Sequence, residues 1–174
     1  ITADEIQMEE SDDGNILAFV SGNRLFSYNT VDNKMAYLFG FYDKENKDTR
    51  TFYNMHRIKI LDVSEGGNIT FLVYGYMNRG RHEGEVGISA FYYDSTVNTI
   101  EELVYIPSEE PQDVIIEKVN RLSYINRDGI LYLMDNQHIY GINFTERTYE
   151  MVADHLHYNG YVISVSYTHL TLPT

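Results

Sequence analysis

The densest gathering of side chains able to bind or react is Tyr74-Gly75-Tyr76-Met77-Asn78-Arg79-Gly80-Arg81-His82-Glu83-Gly84-Glu85, which sets two Arg, one His and two Glu on a glycine-flexed stretch. Loops carried on a rigid scaffold are where binding groups usually sit. Tyr76, Asn78, Arg79, Arg81, His82 and Glu83 are therefore the candidate binding residues. The plain alternative is a solvated hairpin tip whose charges pair with one another, an arrangement of little energetic value.

Other reactive side chains are scattered. His155-Leu156-His157 puts two imidazoles on one face of an extended segment, but no third ligand follows by spacing, so no metal is expected. His138 begins a strand after a turn and reads as a local hydrogen-bonding residue; His56 stands alone. Acidic pairs occur at Glu9-Glu10, Asp12-Asp13, Glu101-Glu102 and Glu109-Glu110. Neighbours on a strand point to opposite faces, so these pairs do not supply two carboxylates that face each other across a glycosidase cleft, and they read as solvated charge. Asp12-Asp13-Gly14-Asn15 is too short for a calcium loop. There is no Gly-x-Ser-x-Gly elbow, phosphate-cradling loop or dinucleotide fingerprint, so no catalytic residue is assigned and no cofactor is expected.

The elements that must position the loop follow from composition and pattern. The 174 residues are 43% hydrophobic and 14% aromatic, with 16 Tyr, 8 Phe and no Trp, which requires a packed core. A net charge of −13 with no basic stripe argues against a nucleic-acid partner. Absence of cysteine removes disulfides and thiol chemistry, and fits cytoplasm or the exposed face of a bacterial cell. The overall composition leans slightly towards an extracytoplasmic place. No stretch approaches the roughly 20 apolar residues that span a bilayer as a helix.

Short apolar or alternating runs punctuated by turn residues recur, without long helical periodicity, so the chain reads as all-β. Ile16-Leu17-Ala18-Phe19-Val20, Phe71-Leu72-Val73-Tyr74 and Ile130-Leu131-Tyr132-Leu133-Met134 are continuously apolar, and such strands are expected to be covered on both faces. Each is followed by an alternating strand, Arg24 to Asn29, Val86 to Tyr93 and His138 to Phe144. A polar turn and an outer strand then close each unit, the outer strands being Met35 to Tyr42, Ile100 to Ile106 and Tyr149 to Ala153. Leading strands Ile58 to Val63 and Leu122 to Asn126 join through Glu65-Gly66-Gly67-Asn68 and Arg127-Asp128-Gly129, both hairpin signals. The connections Lys44 to Met55 and Pro107 to Asn120 are longer, with room for one short helix starting near Pro111.

With this order and spacing, carried by patterns such as Asn15-Ile16-Leu17-Ala18-Phe19-Val20-Ser21-Gly22-Asn23-Arg24-Leu25-Phe26-Ser27-Tyr28-Asn29, the chain resembles bacterial β-propeller repeat proteins with WD40-like or PQQ-like blades. The resemblance implies four-stranded antiparallel blades at about 1–43, 56–107 and 119–154, with the start of a further blade at 158–163. It also implies that the extended loop lies on a face that commonly binds ligands. Three blades fall short of a closed ring, so a partial propeller is expected. A β-sandwich is the alternative. Ser164 to Thr174 resembles translated sequencing adapter, and with Ile1 in place of Met the chain reads as a fragment whose last eleven residues are a non-native tail. The expected role is a non-catalytic module that binds a protein, peptide or glycan. Alternatives are a piece of a propeller enzyme acting on glycans, or a structural scaffold.

Overall fold

The computed structural model describes residues 7–40, 57–76, 82–108, 123–134 and 138–153. Among the described residues twelve strands make three antiparallel four-stranded sheets, and in each sheet neighbours in sequence are neighbours in space. Sheet 1 holds β1 (Gln7–Glu10), β2 (Ile16–Ser21), β3 (Arg24–Asn29) and β4 (Lys34–Phe39). Sheet 2 holds β5 (Arg57–Val63), β6 (Ile69–Tyr76), β7 (Val86–Asp94) and β8 (Thr99–Pro107). Sheet 3 holds β9 (Ser123–Arg127), β10 (Ile130–Met134), β11 (Ile139–Asn143) and β12 (Thr148–Ala153). The chain divides into two compact units, residues 1–116 with sheets 1 and 2, and residues 117–174 with sheet 3. The connections proposed at 44–55 and around Pro111, the strand at 158–163 and the adapter-like tail lie outside the described residues.

Turn chemistry accounts for the repetition. The hairpin between third and fourth strands has a four-residue loop in every sheet, from the pairs Asn29↔Lys34, Asp94↔Thr99 and Asn143↔Thr148. Its last residue takes a left-handed conformation each time, at Asn33, Asn98 and Arg147, with φ of 53°, 53° and 57°. Its first strand-end Asx accepts backbone N–H groups from the loop: Asn29 from Val31 and Asp32, Asp94 from Thr96, Asn143 from Glu146. That side chain replaces the ladder partners that the loop backbone has lost. The first hairpins of sheets 1 and 2 share Ser11-x-x-Gly14-Asn15-Ile16 and Ser64-x-x-Gly67-Asn68-Ile69, in which the serine hydroxyl accepts the N–H of Ile16 or of Asn68, both at 3.0 Å.

A second repeated feature is a β-bulge on the fourth strand. The register steps from Leu25↔Phe39 to Phe26↔Tyr37, from Ala90↔Val104 to Phe91↔Glu102, and from Ile139↔Ala153 to Tyr140↔Met151. Leu38, Leu103 and Val152 are thus the extra residues, at equivalent places. Beyond each bulge the fourth strand is turned by one residue, which changes the side chain it presents to a given face.

In the first unit one face of sheet 1 covers one face of sheet 2. Ile16, Ala18, Val20, Leu25 and Phe39 of sheet 1 form a single core with Ile58, Ile60, Val63, Ile69, Phe71, Val73, Phe91 and Tyr93 of sheet 2. Phe39 meets Phe71 edge-on and also touches Phe91, at centroid separations of 5.4 and 5.3 Å. One polar strap crosses the same seam: the Ile60 N–H, beside a bulge in β5, donates to the Gln7 side-chain carbonyl at 2.8 Å.

The expectation that the apolar runs are covered on both faces holds for sheet 2, where Phe71, Leu72, Val73 and Tyr74 are all buried. In sheet 1 it holds on one face only. Met8, Phe19, Phe26 and Tyr37 align across the other face, with Phe19 and Phe26 half-buried, Met8 58% exposed and Tyr37 41% exposed. In the second unit Leu131, Leu133, Ile142, Val152 and Ala153 are buried, while Met134, Tyr149 and Met151 are exposed.

Candidate functional site

The extended connection between β6 and β7 closes on a turn. The Glu85 N–H donates to the His82 carbonyl at 3.0 Å, and Gly84 between them has φ of +84°, the conformation that a type II turn demands at its third residue. Of the candidate binding residues, Tyr76 is half-buried at the end of β6, His82 starts the turn and Glu83 is exposed on it. Asn78, Arg79 and Arg81 lie outside the described residues.

His82 is folded back onto β8. Its ring stacks on Tyr105 with centroids 3.6 Å apart and planes 16° from parallel. Its Nε2–H donates to Glu102 Oε1 at 2.9 Å, and Nδ1 lies 3.5 Å from Glu85 Oε2. The His82 side chain is 15% exposed as a result, against 53% for Glu85. The other Glu102 oxygen, Oε2, accepts the Ser89 hydroxyl at 3.0 Å, and Ser89 is completely buried.

Local sequence explains each placement. Ser89 faces Tyr105 directly across the β7–β8 ladder. Glu102 reaches the same face because of the bulge at Leu103; in an unbroken ladder Leu103 would pair with Phe91 and Glu102 would turn away. Gly87 makes room for the ring beneath His82. A Cβ at Gly87 would stand 2.7 and 2.8 Å from Tyr105 ring atoms and 2.6 Å from the Ile106 carbonyl oxygen. The Tyr105 hydroxyl donates to the Val86 carbonyl at 3.4 Å, and Val86 also accepts the Ser108 N–H at 2.8 Å.

The reading of Glu101-Glu102 as solvated charge is corrected for Glu102, whose carboxylate is half-buried between a serine and an imidazole. Two sequence signals mark it. Adjacent acids interrupt the alternation of an otherwise apolar outer strand, and Ser89 is a small polar residue in the middle of an apolar one. The pairing itself spans twenty residues and two strands.

The order of the three groups limits their chemistry. Serine nucleophiles are activated by a base in contact with the hydroxyl, with the carboxylate behind that base. Here the carboxylate stands between serine and histidine, and the serine donates to an acceptor that orients it away from the ring. The arrangement fastens two strands, β7 and β8, and a turn together. Among the described residues no group of three or more His, Cys, Asp or Glu is placed to hold a metal ion. His138 lies beside Tyr140, with centroids 5.7 Å apart; His56, His155 and His157 lie outside the described residues. No helix among the described residues is long and apolar enough to cross a membrane.

No protein-family model matches the chain, and no curated protein matches it. Among solved structures it is similar to the extracellular domain of a B. thetaiotaomicron protein described as a one component system, with a TM-score of 0.48 and 12% identity over 84% of this chain and 16% of that one. It is also similar to Porphyromonas gingivalis dipeptidyl peptidase 4, with a TM-score of 0.46 and 10% identity over 86% of this chain and 26% of that one. The chain thus spans well under two thirds of either structure.

Proposed function

We propose that the chain is a stretch of β-propeller blades that serves as a non-catalytic interaction module, with the β6–β7 connection as its contact element and a protein, peptide or glycan as its partner. The observation that carries this reading is the Ser89–Glu102–His82 chain, in which the acid–base side chains of the site hold the base of the connection in place. A turn fixed in this way can present Glu83 with little ordering cost on binding; Tyr76, Asn78, Arg79 and Arg81 complete the contact set by their place in the sequence. His82 serves as its anchor. Repetition does not gather carboxylates here: the positions equivalent to Glu102 in sheets 1 and 3 are Tyr37 and Met151.

The blade reading is supported by the packing of the first unit. Phe26 and Tyr28 of sheet 1 stand where sheet 2 has Phe91 and Tyr93, counted from the equivalent hairpin loops. On sheet 2 those rings are covered by the far face of sheet 1, and a further sheet of the same kind would cover the equivalent row on sheet 1 in the same manner. A place on the outer side of a bacterial cell belongs to this reading as well.

Binding of the chain to arrays of glycans and of peptides tests the contact element. Arg79→Ala with Arg81→Ala, keeping His82, is expected to abolish the hits that the parent chain shows. Hits retained at full strength would assign binding to another surface.

A further inference from the structure

We propose that Asp128-Gly129, the turn between β9 and β10, is a site of spontaneous backbone isomerisation through the Asp128 side chain, and that the other described Asp-Gly pair, Asp13-Gly14, is protected from it. This stands apart from the proposed binding role, since it is a covalent change in sheet 3 that needs no partner.

The reaction consumes nothing but water, which it returns. The Gly129 amide nitrogen bonds to the side-chain carboxyl carbon of Asp128, and the carboxyl's hydroxyl and the amide proton depart together as water. Water then adds to the five-membered imide so formed. Opening at the side-chain carbonyl restores aspartate. Opening at the main-chain carbonyl gives the isoaspartyl form, in which the chain runs through the former side chain and is one methylene longer. Glycine favours the closure because no Cβ crowds the attacking nitrogen.

The two pairs are alike in sequence and unlike in structure. The ladder between β9 and β10 ends on the pair Arg127↔Ile130, so Asp128 and Gly129 form a two-residue loop and the Gly129 nitrogen lies outside the ladder. Both residues are exposed, both have positive φ, 53° and 78°, and a Cβ on Gly129 would meet nothing within 4 Å. Asp128 thus holds a conformation that residues other than glycine seldom take, at an exposed hairpin tip, where local opening is easiest.

At Asp13-Gly14 both reacting groups are engaged. The Gly14 N–H donates to the Ser11 carbonyl at 2.8 Å. The Asp13 carboxylate accepts the Ser11 hydroxyl at 2.7 Å, the Asn15 N–H at 3.0 Å and the Asn15 side-chain amide at 2.8 Å. Closing the ring there would break the Gly14 bond and swing the carboxylate off its three donors. A third pair of the same chemistry, Asn159-Gly160, lies outside the described residues.

A two-residue loop sets the register of its hairpin and has no room for an added backbone atom. The isoaspartyl form is therefore expected to loosen the pairs next to the turn, Arg127↔Ile130 and Asn126↔Leu131.

The full chain is aged at neutral pH, folded and, in parallel, unfolded in urea. It is then digested, and isoaspartate is located in each peptide by enzymatic methylation of the isoaspartyl carboxyl and mass spectrometry. In the folded protein isoaspartate is expected at residue 128 at least about tenfold faster than at residue 13, the factor for one or two hydrogen bonds broken first at Asp13-Gly14. In urea the two rates are expected to converge, because both pairs are then the same dipeptide in an open chain. Equal or reversed rates in the folded protein would overturn the proposal. So would a folded residue 128 that stays unmodified while the urea-treated chain reacts at both places.

Discussion

Phe39 of β4 stands edge-on against Phe71 of β6, with ring centroids 5.4 Å apart and planes 63° from parallel, and this pair joins two sheets that share no ladder. Phe71 is fully buried and Phe39 is 3% exposed. Truncating either ring leaves a cavity on both sheets at once. Phe71→Ala is expected to lower stability by about 3–5 kcal/mol, read from urea unfolding, with the loss shared by both sheets of the unit. Loss of sheet 1 alone, with sheet 2 unfolding at its parental midpoint, would contradict a common core.

At the opposite end of sheet 2, Asn68 ties two hairpins together. Its side-chain oxygen accepts the Ser95 N–H at 2.9 Å and the Ser95 hydroxyl at 3.0 Å, and that hydroxyl also reaches the Gly66 carbonyl at 2.6 Å. Asn68→Ala is expected to cost about 1–3 kcal/mol because it strands a backbone donor. Ser95→Ala removes the hydroxyl and keeps the N–H bond, so it is expected to cost less, by the same unfolding measurement.

Gly87 is the tightest point beneath the site. A Cβ there meets ring atoms of Tyr105 and a backbone oxygen of β8, and the backbone cannot yield cheaply. Gly87→Ala is expected to destabilise the protein by about 1–3 kcal/mol, the cost of overpacking. It is also expected to displace the Tyr105 ring, seen as a changed ring-current shift on the His82 proton resonances in an NMR spectrum.

Asp13 organises the first turn by accepting the Ser11 hydroxyl at 2.7 Å and the Asn15 N–H at 3.0 Å. The Ser11 hydrogen bond, followed by that from Asn15, holds its carboxyl below the ordinary aspartate value of 3.8. A group whose acidity is strengthened by folding stabilises the fold while ionised. Its contribution is complete above the ordinary value and disappears as the pH falls below 3.8 through the folded-state value. The stability difference between the parent and Asp13→Asn, followed by urea midpoints between about pH 6 and pH 2, is expected to favour the parent at the upper end and to close at the lower.

How much was legible in the sequence depended on the range of the interaction. Asn29, Asp94 and Asn143 announce their turns because each bonds to backbone two or three residues away. The continuous apolar run Phe71 to Tyr74 announces a doubly covered strand because every one of its positions is large and apolar. The similar run Ile16 to Val20 predicted the same and differs, since a strand's own residues do not encode whether a neighbour covers its second face. The shared Ser-x-x-Gly-Asn-Ile pattern gains its meaning only from the structure, where the serine hydroxyl accepts a backbone N–H of the turn. The Leu103 bulge left no local mark, because any side chain can occupy an unpaired position. With it went the direction of Glu102, and so its pairing with His82.

The bulge recurs at Leu38, Leu103 and Val152, and what it delivers to the sheet face is Tyr37, Glu102 or Met151. The backbone device is copied while its cargo changes. Such a position behaves as a socket: the ladder on either side is indifferent to what is plugged in, and one codon suffices to exchange an apolar seat for a charged fastening. A protein assembled from such units can carry local chemistry in one sheet while the equivalent positions of the others carry apolar or aromatic side chains.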